Sequence, residues 1–431
     1  MEDDGVGGGR RRVWWRVGLL VAAGVIALAV VAGERVLFPT PRFPQPAGPY
    51  GIGARVYDWT DASREEPFTA ERGDHRRIVA QIWYPADGNG PTRPYIDNDA
   101  VADALAGHLH LPGWLFRNIQ HAPTHAVTDA PAASGPFPVL LNPTGFSGFR
   151  SASLFWIEEL TSQGYVVVTL DQPGTAAVTV YPDGRVIPLI ADKARFDELM
   201  PLALLQAPDQ TPEMNGVPLP GGIIPFLADD LSFVLDQLAA LNRDDPALAG
   251  RLDLDHVGVF GMSLGGYVSA EACHRDPRFR ACLAVDSGHT ADVVREGLSQ
   301  PMMVISRDAE VMRQERARAG GWPEDEVLFT TGSQRGLFAH NRGDAYFATM
   351  NEMFHVNWTD APIWTPLIGW MGLAGPIDPY KGFAETNALT LAFFNRTLKA
   401  QPAPLLDAPP PPGAHWQLET RRARSLTPFI P

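Results

Sequence analysis

Apolar and polar positions along the chain fall into two alternating kinds of segment. "RRIVAQIWYPA" (Arg76 to Ala86) alternates with the period of two expected of a strand. "FPVLLNP" (Phe137 to Pro143) and "GYVVVTLDQPG" (Gly164 to Gly174) are unbroken apolar runs closed by turn residues, as strands buried on both faces are. "HVGVFG" (His256 to Gly261), "ACLAVDSG" (Ala281 to Gly288) and "PMMVISRD" (Pro301 to Asp308) are of the same kind. Between them lie helical spacings. "SASLFWIEELTSQG" (Ser151 to Gly164) ends at a glycine, and "FLADDLSFVLDQLAALN" (Phe226 to Asn242) is the most strongly amphipathic stretch. Such alternation predicts an α/β protein with a doubly wound, mainly parallel sheet and a ligand site at the carboxyl ends of its strands.

The ends differ from the middle. "RRRVWWR" (Arg10 to Arg16) precedes "VGLLVAAGVIALAVVAG" (Val17 to Gly33), seventeen residues without a charge. As a helix this run would span about 25 Å, and the preceding arginines put the N-terminus in the cytoplasm and the remainder outside it. Residues 1–38 therefore read as a signal-anchor helix in a membrane or a cleaved signal peptide. Residues 39–50 are a proline-rich linker and 51–400 the folded domain. The Pro- and Gly-rich segment 181–225 fits no core element and reads as a cap or lid. Residues 401–431, opening on "QPAPLLDAPPPPGAH", form a proline-rich tail. No internal repeat is visible.

With a formal charge of -14 and no basic stripe beyond the N-terminus, nucleic acid is excluded as a partner. Two cysteines, Cys273 and Cys282, exclude a disulfide scaffold and a four-cysteine zinc site; they could form one bridge or stay buried thiols. "HAPTH" (His121 to His125) spaces two histidines as helical metal ligands would be, but Pro123 opposes the helix and no glutamate follows the first histidine. The expectation is no metal and no cofactor. The sequons Asn357-Trp358-Thr359 and Asn395-Arg396-Thr397 read as chance.

The candidate chemistry begins at "VGVFGMSLGGYVS" (Val257 to Ser269). A serine bracketed by glycines between a strand and a helix is a nucleophile elbow, with Ser263 at its tip. A serine hydroxyl attacks only when a histidine takes its proton and an acid orients that histidine. In this arrangement the acid and then the histidine follow the serine along the chain. Asp286, ending the apolar run "CLAVD", would emerge beside Ser263. His289 is too close to Asp286, and His415 lies in the tail. That leaves His340 and His355 open. Two N–H groups should meet the charge that develops on a substrate oxygen. Leu264, after the serine, supplies one, and the loop after "FPVLLNP", at Phe146, the other.

The stretches "GPYGIGARVYDWTDASREEPF", "VAQIWYPA", "PVLLNPTGFSGFR", "YPDGRV", "GMSLGG", "RFRACLAVD" and "FHVNWTD", between Gly48 and Leu398, resemble the plasma-type platelet-activating-factor acetylhydrolase family and its bacterial relatives. The resemblance implies an α/β-hydrolase fold, with Ser263 as nucleophile, Asp286 as triad acid and His355 as base. It also implies hydrolysis of short or oxidised acyl esters of phospholipids, or of similar small esters. Where the family usually reads His-Gly before the oxyanion residue, this chain has Thr144-Gly145-Phe146. Other readings are a polyester- or lipase-type esterase, a serine peptidase of the same fold, and a catalytically inactive binding module.

Overall fold

A run such as Val139-Leu140-Leu141 has no polar position to turn toward water, so both its faces must be covered. Val139 and Leu141 enter one apolar core and Leu140 another, across the sheet. The same division separates Val166 and Val168 from Val167, Val259 from Phe260, Cys282 from Leu283, and Val304 from Ile305. The computed structural model describes residue 33 and residues 35–88, 90–190, 193–205 and 211–423.

The strands are β1 (Gly51–Glu65), β2 (His75–Ala86), β3 (Thr92–Pro94), β4 (Pro123–Thr128), β5 (Phe137–Pro143) and β6 (Val166–Asp171). Two short hairpins follow, β7 (Val178–Val180) with β8 (Val186–Pro188) and β9 (Glu213–Met214) with β10 (Val217–Pro218). The last are β11 (Leu252–Met262), β12 (Phe279–Val285), β13 (Met302–Ser306), β14 (Ala345–Thr349) and β15 (Gln417–Arg421). Eleven of them form one sheet in the order β15-β14-β13-β12-β11-β5-β6-β2-β1-β4-β3. From β14 to β6 neighbours are parallel, while β2 joins β6 and β15 joins β14 antiparallel. The chain leaves β5 for β6 on one side and returns to pair β11 on the other. This reversal opens a crevice at the carboxyl ends of β5 and β11.

Helices cover both faces. Leu154–Ser162 and Pro379–Leu398 bring Phe155, Trp156, Phe393 and Phe394 against Leu140, Val167 and Phe260. Ile223–Asp244 and Leu264–Arg275 bring Leu227, Leu231, Val234, Leu238 and Val268 against Val139, Val168 and Val259. Leu227, Leu231, Val234 and Leu238 recur at intervals of three or four, which puts them on one side of that helix. One buried charge cluster ties β2 to it: Arg76 pairs with Glu66 at 2.9 Å and with Asp230 at 2.7 Å.

Two expectations about the periphery need correction. The proline-rich tail does not leave the fold, because β15 pairs along β14 and Trp416 enters the core. The proline-rich linker 39–50 does not stand off from the domain but packs onto it. Phe43 is buried 4.7 Å from the Tyr95 ring, and the Gly48 N–H donates to Ser162 Oγ at 3.0 Å. Separately, β1 was not anticipated, since its polar Asp58, Asp61, Ser63 and Arg64 hide its alternation. The run Val17–Gly33 lies, apart from Gly33, outside the described residues. Among those described, no helix is long and apolar enough to cross a membrane.

Candidate active site

β11 ends at Met262 and a helix begins at Leu264, so Ser263 alone makes the turn, with φ 57 and ψ -128. A side chain rarely tolerates this left-handed backbone, and surrounding contacts must hold it. The Ser263 N–H donates to Val285 O at 2.9 Å, and its carbonyl accepts Gly266 N–H at 2.9 Å. The neighbouring glycines are required by close approach. A Cβ on Gly261 would lie 2.3 Å from Gly265 O, and one on Gly265 2.3 Å from Pro143 O.

Asp286, also at positive φ, follows β12 and is buried. His355 opens the short helical turn His355–Trp358 beyond β14, and its Nδ1 lies 2.6 Å from Asp286 Oδ2. Burial would raise the Asp286 carboxyl. The Arg307 guanidinium and the His355 contact outweigh it and hold the group at about 2. An ionised carboxylate can only accept, so Nδ1 carries the hydrogen and donates it to Asp286, which leaves Nε2 free to accept a proton. The His355 loop is pinned on its far side. Asn357 Oδ1 accepts the Phe354 and Gly375 N–H groups at 2.8 Å, and the Trp358 carbonyl accepts Ser153 Oγ at 2.9 Å. Asp360 ties the loop to a distant helix, taking the Leu154 N–H at 2.7 Å and the Tyr95 hydroxyl at 2.8 Å.

Ser263 and His355 line one cleft of about 370 Å³. Its walls are apolar, from Leu105 and Leu109 through Phe149 and Trp156 to Trp364 and Ile368. Thr144, Gly145 and Phe146 line it as well. A Cβ on Gly145 would sit 3.5 Å from Ser263 Cβ, so this loop lies directly against the elbow. The loop is braced by Ser147 N–H on Thr175 O at 2.7 Å and by stacking of Phe146 on Phe196 at 4.7 Å. Leu264 is the first residue of its helix, where N–H groups lack intrahelical acceptors and the dipole favours negative charge. Among the described residues of 181–225, none lines the cleft. Besides residues of 142–156, its walls come from the helix Asp99–His108 and the segment after His355, which apolar spacing alone did not single out.

The remaining candidates lie elsewhere. His340 ends the helix Glu324–His340 and its Nδ1 meets the Val294 carbonyl at 2.8 Å. His289 is buried, and burial holds its imidazole down at about 3. His415 pairs with Glu385 at 3.2 Å. His125 pairs with Glu158 at 2.7 Å, and among the described residues no acidic, histidine or cysteine group could hold a metal ion. Cys273 and Cys282 are buried free thiols, and Asn357 is buried. Sequence reasoning missed Arg307, Glu315 and Trp322. The argument that flagged Asp286, a charge ending a buried strand beside the elbow, applies equally to Arg307 after β13.

The fold is that of the α/β-hydrolases. A ferulic acid esterase from Streptomyces cinnamoneus superposes with a TM-score of 0.68 over 88% of this chain and 99% of that one, at 24% identity. No protein-family model matches the chain. By sequence it is similar to a probable 1-alkyl-2-acetylglycerophosphocholine esterase from Arthroderma benhamiae, 24% identical over 65% of this chain and 68% of that protein. It is also similar to the platelet-activating factor acetylhydrolase of Cavia porcellus, 22% identical over 74% of this chain and 72% of that one. A 20-hydroxy-prefusarin hydrolase from Gibberella moniliformis is 27% identical over 42% of this chain, which spans only 30% of that protein. These relatives are named as esterases and hydrolases, in agreement with the carboxylic ester hydrolase expected from the sequence.

Proposed function

We propose that this chain hydrolyses carboxylic esters through an acyl-enzyme on Ser263. As the ester carbonyl is attacked by Ser263 Oγ, the serine proton passes to His355 Nε2. Asp286 holds the imidazole and stabilises its cation. The Phe146 and Leu264 N–H groups receive the oxyanion. Collapse of the intermediate expels the alcohol with the proton from His355. Water activated by the same histidine then releases the acid and regenerates the serine. The observation that carries this reading is the 2.6 Å His355–Asp286 contact opening onto the same cleft as the strained Ser263.

For the substrate we propose a short acyl ester. The similarity to acetylhydrolases supports an acetylated or oxidised phospholipid. A second reading, small uncharged esters, is favoured by the lining of the cleft, where the described residues include no Lys, Arg, Asp or Glu. Steady-state rates on nitrophenyl esters of graded length, beside an acetylated and a long-chain phospholipid, test both. Rates falling steeply with acyl length support the proposal. Preference for long chains contradicts it, and turnover of nitrophenyl acetate without the acetylated phospholipid selects the second reading.

We further propose that residues 1–38 carry the domain out of the cytoplasm as an anchor or cleaved signal. The arginines ahead of the uncharged run Val17–Gly33 support this. N-terminal sequencing of protein from its native host tests it: a start near Gly33 or an intact N-terminus in the membrane fraction agrees, and soluble cytoplasmic protein contradicts it.

A further inference from the structure

Behind the Asp286–His355 pair lies a closed circuit of charge. Arg307, fully buried after β13, donates from Nε to Asp286 Oδ1 at 3.2 Å. Its Nη2 lies 3.1 Å from Asp286 Oδ2 but is angled off a hydrogen bond, so there it acts as charge alone. On its other side Nη1 pairs with Glu315 Oε2, and that same oxygen accepts the His355 backbone N–H at 3.3 Å. The circuit therefore runs from Asp286 through Arg307 and Glu315 to the backbone of His355 and back through its ring. Trp322 closes it from solvent. The Arg307 guanidinium carbon sits 4.8 Å over the indole, and the His355 ring meets it edge-on at 5.1 Å. Ser306 Oγ donates to Asp286 Oδ1 at 3.2 Å and is itself held by Gln334 Nε2 at 2.9 Å.

We infer that Arg307 is a positioning residue, whose cation bridges the buried carboxylates of Asp286 and Glu315 and so fixes His355 and the charge around it. The inference rests on the esterase reading above. Without Arg307, two neighbouring buried carboxylates would face each other and His355 with no cation between them. With it, Asp286, Arg307 and Glu315 sum to one negative charge while His355 is neutral. The cluster becomes neutral when His355 holds the serine proton, so it is complementary to the charge of the transition state. Other titratable groups face it. Glu326, on the helix Glu324–His340, is raised by burial and drawn back by His355. Tyr267, on the helix after the elbow, is pushed up by burial, and burial leaves His289 uncharged near neutrality.

Arg307→Met, Arg307→Lys and Glu315→Gln in the full-length chain test this, with kcat and KM for a nitrophenyl ester followed from neutral into acid. Organophosphate titration counts intact sites. Arg307→Met takes away the cation that holds the Asp286 carboxyl down and leaves uncompensated negative charge beside the His355 ring. The acid limb of kcat should move up by about one pH unit or more, with KM little changed. Arg307→Lys should return most of that shift. Glu315→Gln leaves Arg307 wholly on Asp286 and should move the limb the other way while lowering kcat, which keeps the inference testable should the methionine variant not fold. A uniform loss at every pH, or limbs that do not move in opposite directions, would overturn it. Turnover by Ser263→Ala would instead overturn the esterase reading itself.

Discussion

His355 and Asp286 are 69 residues apart in sequence, and their side chains meet at 2.6 Å. His340, nearer in sequence to Asp286, turns its ring to the Val294 carbonyl instead. If His355 is the base, His355→Ala and Ser263→Ala should each lower kcat by about 10⁶, and the double variant should be no worse, because the two act as one unit. Asp286→Asn should cost about 10⁴ by favouring the wrong tautomer. His340→Ala should stay close to the parent. Inactivity of His340→Ala beside active His355→Ala, in the same nitrophenyl acetate assay, would reassign the base.

Asp360 supplies a pH dependence of stability. Burial, opposed by the Leu154 N–H and the Tyr95 hydroxyl, raises its carboxyl to about 8. The folded state therefore binds a proton that the unfolded chain has released above its ordinary value of about 3.9. This contribution is complete below that value and disappears as pH rises through about 8. Asp360→Asn should flatten the fall of Tm between these limits. An unchanged slope would show that the carboxyl titrates normally.

Arg76 is fully buried between Glu66 and Asp230. Arg76→Ala leaves two carboxylates without their cation and should destabilise the domain by about 3–5 kcal/mol in urea unfolding. A loss below 1 kcal/mol, the order of an exposed pair, would mean that water reaches the cluster.

How much of this could be read beforehand follows from how local each signal is. The strand Phe137–Pro143 was anticipated to the residue, since continuous apolar runs between turn residues leave few choices. Ser263 was legible because its glycines are dictated by backbone contacts within one turn. β15 was not, because a short polar edge strand after a proline-rich stretch looks like a tail until β14 lies beside it. The Arg307–Glu315 circuit joins three separate segments, and single-chain pattern carries no trace of such a meeting.

The edge assignment is itself testable. Ending the chain after residue 415 should remove Trp416 from the core and bare the β14 edge. The truncated protein should lose Tm and aggregate, as exposed strand edges do. An equally stable, monodisperse protein would return the segment to the status of a tail.

The central claim is that Ser263 is an activated nucleophile, and a fluorophosphonate reports on that directly. Peptide mapping after stoichiometric inactivation should find one adduct, on Ser263 in "GMSLGG". Labelling should vanish in Ser263→Ala and fall steeply in His355→Ala, both remaining folded by circular dichroism. An adduct on another serine, or full labelling without His355, would contradict the account.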